Sequence, residues 1–275
     1  MRYSKYFMLA LLLVACNTNT YTQPLLLKGY DWDNMEKLHL EHKLDEVSGI
    51  VYDNRSKSFL AVNDEKGNIY KVSADNYKIR HSIKFAGGGD YEAIGLKANI
   101  VFVMNSKGGL WEMELDDDKV RHVGNYEFPF DEKVEFEAMV LSEKGIIYLI
   151  SKQSALNKVQ KKTLFYSFNI RTKEYNKEVA KGVDWLEVKA KGGVDKLHVS
   201  GAAVHPFSKK IYIVASIEKL LIILNKDWKV EEVHSLDKKL FKQPEGITFN
   251  NEGDLFISNE AKDGRPNIIK IPVKR

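Results

Sequence analysis

Three glutamates, Glu92, Glu137 and Glu245, hold the same place in recurring segments of a 275-residue chain. Ser48 and Ser200 hold that place in two further segments. Each segment is a polar residue, then Gly or Ala, then a short apolar run: Ser48-Gly-Ile-Val-Tyr, Glu92-Ala-Ile-Gly-Leu, Glu137-Ala-Met-Val-Leu, Ser200-Gly-Ala-Ala-Val and Glu245-Gly-Ile-Thr-Phe. If repeats of this kind close into a ring, three carboxylates and two hydroxyls converge at one opening. Like charges so placed raise one another's pKa, and a hard cation relieves them. Calcium takes 6–8 oxygen ligands and needs neither His nor Cys, so Glu92, Glu137 and Glu245 are the candidate metal ligands and calcium the expected cofactor. The other reading is structural, with each polar side chain bonded to the backbone of the next repeat. The residues alone leave both readings open.

A second set of polar residues follows the next apolar run of each repeat: Asp64-Glu65, Asn105-Ser106, Ser151-Lys152, Ser216 and Asn259-Glu260. With Ser48 and Ser200, the residues Asp64, Asn105, Asn259 and Glu260 form a possible ligand surface. Ordinary turn chemistry also accounts for them. No catalytic residue is identified. There is no Gly-x-Ser-x-Gly elbow and no His-Glu-x-x-His pair. His205-Pro206 falls in a turn position of its repeat. Gly87-Gly88-Gly89 reads as a flexible turn, because it lacks the rest of a phosphate loop and precedes a strand. Asp116-Asp117-Asp118 reads as a solvated turn, because it lacks the spaced ligands of a calcium loop.

The sole cysteine, Cys16, cannot form an intramolecular disulfide or a Cys-rich metal site. It ends the stretch Met1–Cys16, in which Arg2 and Lys5 precede a short apolar core. That core is shorter than the ~20 residues a transmembrane helix needs and suits an export signal. Leu13-Val-Ala-Cys16 resembles the lipobox of bacterial lipoproteins. The resemblance implies cleavage before Cys16, a lipid on its sulfur, and a protein anchored to a bacterial membrane, inner or outer. The expected division is a signal over 1–15, a lipidated tether over 16–35 and a folded domain over 36–275. The formal charge is +4, from 42 basic and 38 acidic residues. It is small and dispersed, which argues against a nucleic-acid partner.

The segments must be positioned by strands. Apolar residues alternate in short runs bounded by turn residues, which predicts β-structure. The polar residues recur at spacings of 44, 45, 63 and 45, and four strands in ~45 residues is the period of a propeller blade. The expectation is all-β: a five-bladed β-propeller, with six blades as the alternative. The last repeat stops one strand short, and residues 36–43 alternate like a strand, so the N-terminal strand should close the ring. The long spacing is read as loop insertions over 153–162 and 183–196.

Ser48-Gly-Ile, Asp90-Tyr-Glu-Ala-Ile, Glu137-Ala-Met, Pro244-Glu-Gly-Ile-Thr-Phe and Gly253-Asp-Leu-Phe-Ile-Ser-Asn-Glu resemble the SdiA-regulated domain family over about residues 36–273. The resemblance implies an exported or membrane-anchored bacterial five-bladed propeller, NHL-like in its motifs. It also implies a calcium site, for which Glu92, Glu137 and Glu245 match by motif. It supplies no activity. The functional expectation is therefore a lipid-anchored cell-envelope module that binds a small-molecule or protein ligand. The alternative is a calcium-dependent hydrolase of phosphoesters or lactones at the channel mouth.

Overall fold

A computed structural model describes residues 27–131, 133–176, 178–262 and 264–275. Cys16 and the signal region lie outside the described residues. The chain opens with β1 (Glu36–His39) and then builds five antiparallel sheets around one axis. Blade one holds β2 (Val47–Asp53), β3 (Ser58–Asn63), β4 (Lys66–Ser73) and β5 (Ile79–Gly88). Blade two holds β6 (Tyr91–Lys97), β7 (Ile100–Asn105), β8 (Leu110–Asp116) and β9 (Lys119–Tyr126). Blade three holds β10 (Val134–Leu141), β11 (Ile146–Ser154) and β12 (Lys162–Asn169), with two short outer pieces, β13 (Glu174–Tyr175) and β14 (Lys181–Asp184), both paired to β12. Blade four holds β15 (Val199–Val204), β16 (Ile211–Ala215), β17 (Leu220–Leu224) and β18 (Val230–Ser235). Blade five holds β19 (Pro244–Phe249), β20 (Leu255–Asn259) and β21 (Asn267–Ile271), and β1 completes it by pairing with β21. The fold is therefore the expected five-bladed propeller, closed by its N-terminal strand. Closure removes the free sheet edge that β21 would otherwise expose.

Alternation along each strand decides which blade a side chain serves. In β3, Phe59 and Ala61 pack with Phe256 and Ile268 of blade five, while Leu60 and Val62 pack with Val101 and Val103 of blade two. Both faces of these inner strands are covered, so they read as near-continuous apolar runs. Each blade is thus held by two neighbours, and the ring is one cooperative unit.

The 63-residue spacing holds two helices rather than plain loops. Helix α1 (Ala155–Gln160) joins β11 to β12, and the Ser154 side chain caps its first turn by accepting from Asn157 N. Helix α2 (Trp185–Gly192) joins β14 to β15, capped by Asp184 at its start and by Gly193 in the left-handed conformation (φ 72°) at its end. Trp185 and Val188 of α2 enter the core between blades three and four, and the Trp185 indole N–H donates to Thr163 Oγ1 at 3.1 Å.

Two smaller expectations change. Gly87 and Gly88 end strand β5 instead of forming a turn. They lie opposite Gly67, where a Cβ would meet Ala86 and Gly87 backbone at 2.4–2.6 Å. The close approach thus requires a glycine at position 67, while a Cβ at Gly87 would meet nothing within 4 Å. Residues 27–35, placed by the sequence in the tether, include Leu27 and Tyr30, which are buried against blades four and five. Tyr30 bridges to Val273, and its hydroxyl donates to Gly253 O.

Candidate functional site

Every innermost strand carries a register shift at its polar residue. The shifts fall between Val47 and Ile50, Tyr91 and Ala93, Phe136 and Ala138, Val199 and Gly201, and Pro244 and Ile247. A bulge adds one residue and re-aims the side chain beside it. Ser48, Glu92, Glu137, Ser200 and Glu245 are the residues so re-aimed. Ser48, Glu92, Glu137 and Ser200 line the upper channel with Gly49, Gly201 and Gly246. The channel narrows there to a cavity of about 20 Å³. Below this waist it opens into a vestibule of about 180 Å³, whose lining residues include Ile50, Ile94, Met139, Ile247 and Phe249.

The five polar residues divide into two kinds. Ser48 Oγ donates to Tyr91 O at 2.6 Å, and Ser200 Oγ donates to Pro244 O at 2.7 Å. Both serines stitch one inner strand to the next, which is a structural task. The glutamates instead gather charge. Burial, the Glu137 carboxylate and a hydrogen bond that protonated Glu92 donates to Asp90 push the Glu92 carboxyl far up. Burial, with Glu260 and Glu137 nearby, lifts Glu245 well above the carboxylate range. Burial raises Glu137 too, against the pull of Lys152. The Lys152 Nζ lies 2.6 Å from Glu137 Oε1 and 3.6 Å from Glu135 Oε1. Burial works against the charge on Lys152, but Glu137, Glu135 and Glu245 outweigh it and raise its pKa.

Of the second set, Asp64 and Glu260 join this centre. Burial, Glu46, Asp64 and Glu137 push Glu260 up to about 7. Its carboxylate accepts from Gln243 Nε2. Asp64 is raised by burial and by Glu46, Glu65 and Asp90, and its Oδ1 is buried without a hydrogen-bond partner. Asn105 does turn work, accepting from Gly109 N at 2.8 Å. Asn259 is buried, donates to Asn267 Oδ1, and keeps an unpartnered Oδ1. His205 sits in its expected turn, where Nδ1 accepts from Phe207 N and Ser208 N.

Sequence reasoning named Lys152 only as a neighbour of Ser151 and passed over Glu46, Asp90, Glu135 and Gln243. The available signal was register: Lys152 aligns with Glu65, Ser106 and Glu260, at or near the end of each second strand. The mouth is thus a ring of carboxyl groups with the Lys152 ammonium among them. Such a ring can hold protons at neutral pH, exchange them for a cation, or bind a basic group.

A calcium site needs several oxygens around one point. Among the described residues, no three His, Cys, Asp or Glu side chains come together in a way that holds a metal ion. The carboxylates have the right donor chemistry, and the Lys152 ammonium pairs with one of them, Glu137.

A family model matches residues 23–267. The chain belongs to the SdiA-regulated family. Membership agrees with the motifs that carry the glutamates. No curated protein matches the sequence. Solved structures share the architecture at low identity. A luciferin-regenerating enzyme aligns with a TM-score of 0.54 at 8% identity, over 86% of this chain and 94% of that one. A streptogramin B lyase aligns at 0.53 and 8%, over 87% and 97%. A protein of unknown function from Bacteroides thetaiotaomicron aligns at 0.52 and 12%, over 83% and 70%. These likenesses establish the propeller fold.

Proposed function

We propose that this family member is an exported, lipid-anchored cell-envelope propeller that binds a cationic ligand in its acidic mouth. The observation that carries the reading is the charge imbalance. Glu46, Asp64, Asp90, Glu92, Glu137, Glu245 and Glu260 act on one another there, and Lys152 is the cation that acts on four of them. Lys152 itself models the ligand: an alkylammonium within 2.6 Å of a buried carboxylate. An organic ammonium ion is therefore the preferred ligand. A second cation would replace the protons held by the raised carboxyl groups. Its affinity rises with pH, and its binding releases protons.

Calcium is the second reading, favoured by the all-oxygen donor set. Glu92, Glu137 and Glu245 would hold it once the Lys152 side chain turned away. The anchor rests on Leu13-Val-Ala-Cys16. Among the described residues no helix is long and apolar enough to cross a membrane.

Calorimetric titration of the full chain with putrescine, and separately with calcium chloride, tests the site at pH 5.5 and 8. The expected result is tighter putrescine binding at pH 8 with proton release, lost in the Glu92→Gln/Glu137→Gln/Glu245→Gln variant. Calcium binding without putrescine binding would favour the second reading. No heat with either cation would remove the site. The anchor is tested by Cys16→Ser, which should move the protein from the membrane fraction to the soluble fraction.

A further inference from the structure

The end of the ring opposite the acidic mouth carries a groove of the other sign. It lies between blades three and four, where the turn after β10, the turn after β15 and the turn between β17 and β18 meet. Its volume is about 300 Å³, with Val140, Tyr148 and Trp228 among its apolar lining and Lys144, Lys209 and Lys226 among its charges. That size is at the lower end of small-molecule sites, which are mostly apolar with a few polar groups that orient the ligand.

Trp228 is the informative residue. Its backbone is left-handed, with φ 66°. The same outer turns of blades one, two and three place Tyr77, Asp117 and Lys173 in that conformation, so the turn itself does not require an indole. A left-handed residue with a side chain is strained, because its Cβ crowds the following carbonyl oxygen. Here the indole stands edge-to-face on Tyr148, with ring centroids 4.5 Å apart, and on Phe165 at 5.2 Å. It forms an aromatic wall and leaves the space beside it open.

The charges decide what that space accepts. Glu143 is paired with Lys209 at 2.6 Å. Lys144 and Lys226 make no ion pair among the described residues, and both are exposed. Two uncompensated cations therefore stand at the rim of an aromatic groove. We propose that this groove is a second binding site, separate from the acidic mouth, for a small organic anion with a flat apolar body, such as an aromatic carboxylate or sulfonate. The ring stacks in the groove, and the anionic group meets Lys144 and Lys226. The two ends of the propeller then sort ligands by sign. Each site is assayed without the other.

The test is fluorescence titration of the full chain with 8-anilinonaphthalene-1-sulfonate, compared with the uncharged N-phenyl-1-naphthylamine. The expected result is saturable binding of the sulfonate at one site, at least about tenfold tighter than the neutral probe. Lys144→Gln/Lys226→Gln should abolish that preference while the neutral probe binds as before. Trp228→Leu should weaken both probes at least fivefold. Both lysines are exposed, so their replacement does not endanger folding and the test stands even if Trp228→Leu loses packing. Unsaturable binding, or an equal preference in wild type and the lysine variant, would overturn the proposal. Glu92→Gln/Glu137→Gln/Glu245→Gln should leave sulfonate binding unchanged, which keeps this result independent of the cation site.

Discussion

Glu260→Gln should make the protein more stable at pH 8, by less than half as much at pH 5.5, and leave it unchanged below pH 4.5. In the folded protein the Glu260 carboxyl is raised from 4.5 to about 7, first by burial and then by Glu46, Asp64 and Glu137. A raised carboxyl means the native state holds a proton that the unfolded chain releases between those two values. Stability from this group is therefore full below pH 4.5 and is lost as pH rises through 7. At about 1.4 kcal/mol per pH unit, the interval sets a ceiling of about 3.4 kcal/mol for the cost of ionising Glu260 at pH 8. Glu260 is half-exposed, and solvent screening reduces that ceiling to about 1–1.5 kcal/mol. Glutamine matches the protonated acid in shape and never ionises, so it relieves the whole of this cost. The expected gain is about 1–1.5 kcal/mol at pH 8, or roughly 2–5 °C in Tm for a domain of this size. Urea unfolding of both proteins at the two pH values reads it directly. An equal difference at both values would show that Glu260 is not repelled by its neighbours, and a loss of stability at pH 8 would reverse the argument's sign.

Lys152→Met removes the cation beside Glu137 and should destabilise the protein at pH 8 by about 1–3 kcal/mol, less than the full cost of an orphaned buried charge because Glu137 can take up a proton. The loss should shrink at pH 5.5, where the carboxyl is neutral, and urea midpoints at both pH values measure it. The same variant empties the ammonium position and should strengthen putrescine binding in calorimetry by roughly tenfold. Gly201→Ala should cost about 3 kcal/mol or more, because a Cβ there would lie 2.1 Å from the Glu245 carbonyl oxygen. A Tm within a few degrees of wild type would mean that β15 and β19 can separate without penalty.

The blades were legible because their signal repeats. Alternation within strands and a period near 45 residues both follow from burying each strand between two neighbours. Ring closure was legible in the missing last strand and the spare strand read at residues 36–43, of which Glu36–His39 form β1. The inserted helices were not, because α1 has six residues and α2 eight, too few for a clear 3.6-residue period. The site was half legible. Register identified Glu92, Glu137 and Glu245 as equivalent, but it also grouped Ser48 and Ser200 with them, and these bond to backbone instead. Lys152 was hidden by sign: a search for cation ligands passes over a cation. Its role depends on a side chain reaching from the end of β11 to β10, which no linear pattern records.

The pairing of β1 with β21 also orders events in time. Lys270 and Glu36, 234 residues apart, form an ion pair across that seam. β1 is made before any blade and stays unpaired until the last strand is released. Native contacts this distant in sequence slow folding, because the chain entropy of closing a long loop is lost before the contact forms. Blades one to four can form sheets while synthesis continues, but the ring cannot lock until residue 271 is free. A chain cut short anywhere before β21 keeps a sticky edge at each end, which makes truncated products targets for proteolysis or association. The seam thus makes closure of the ring wait for β21.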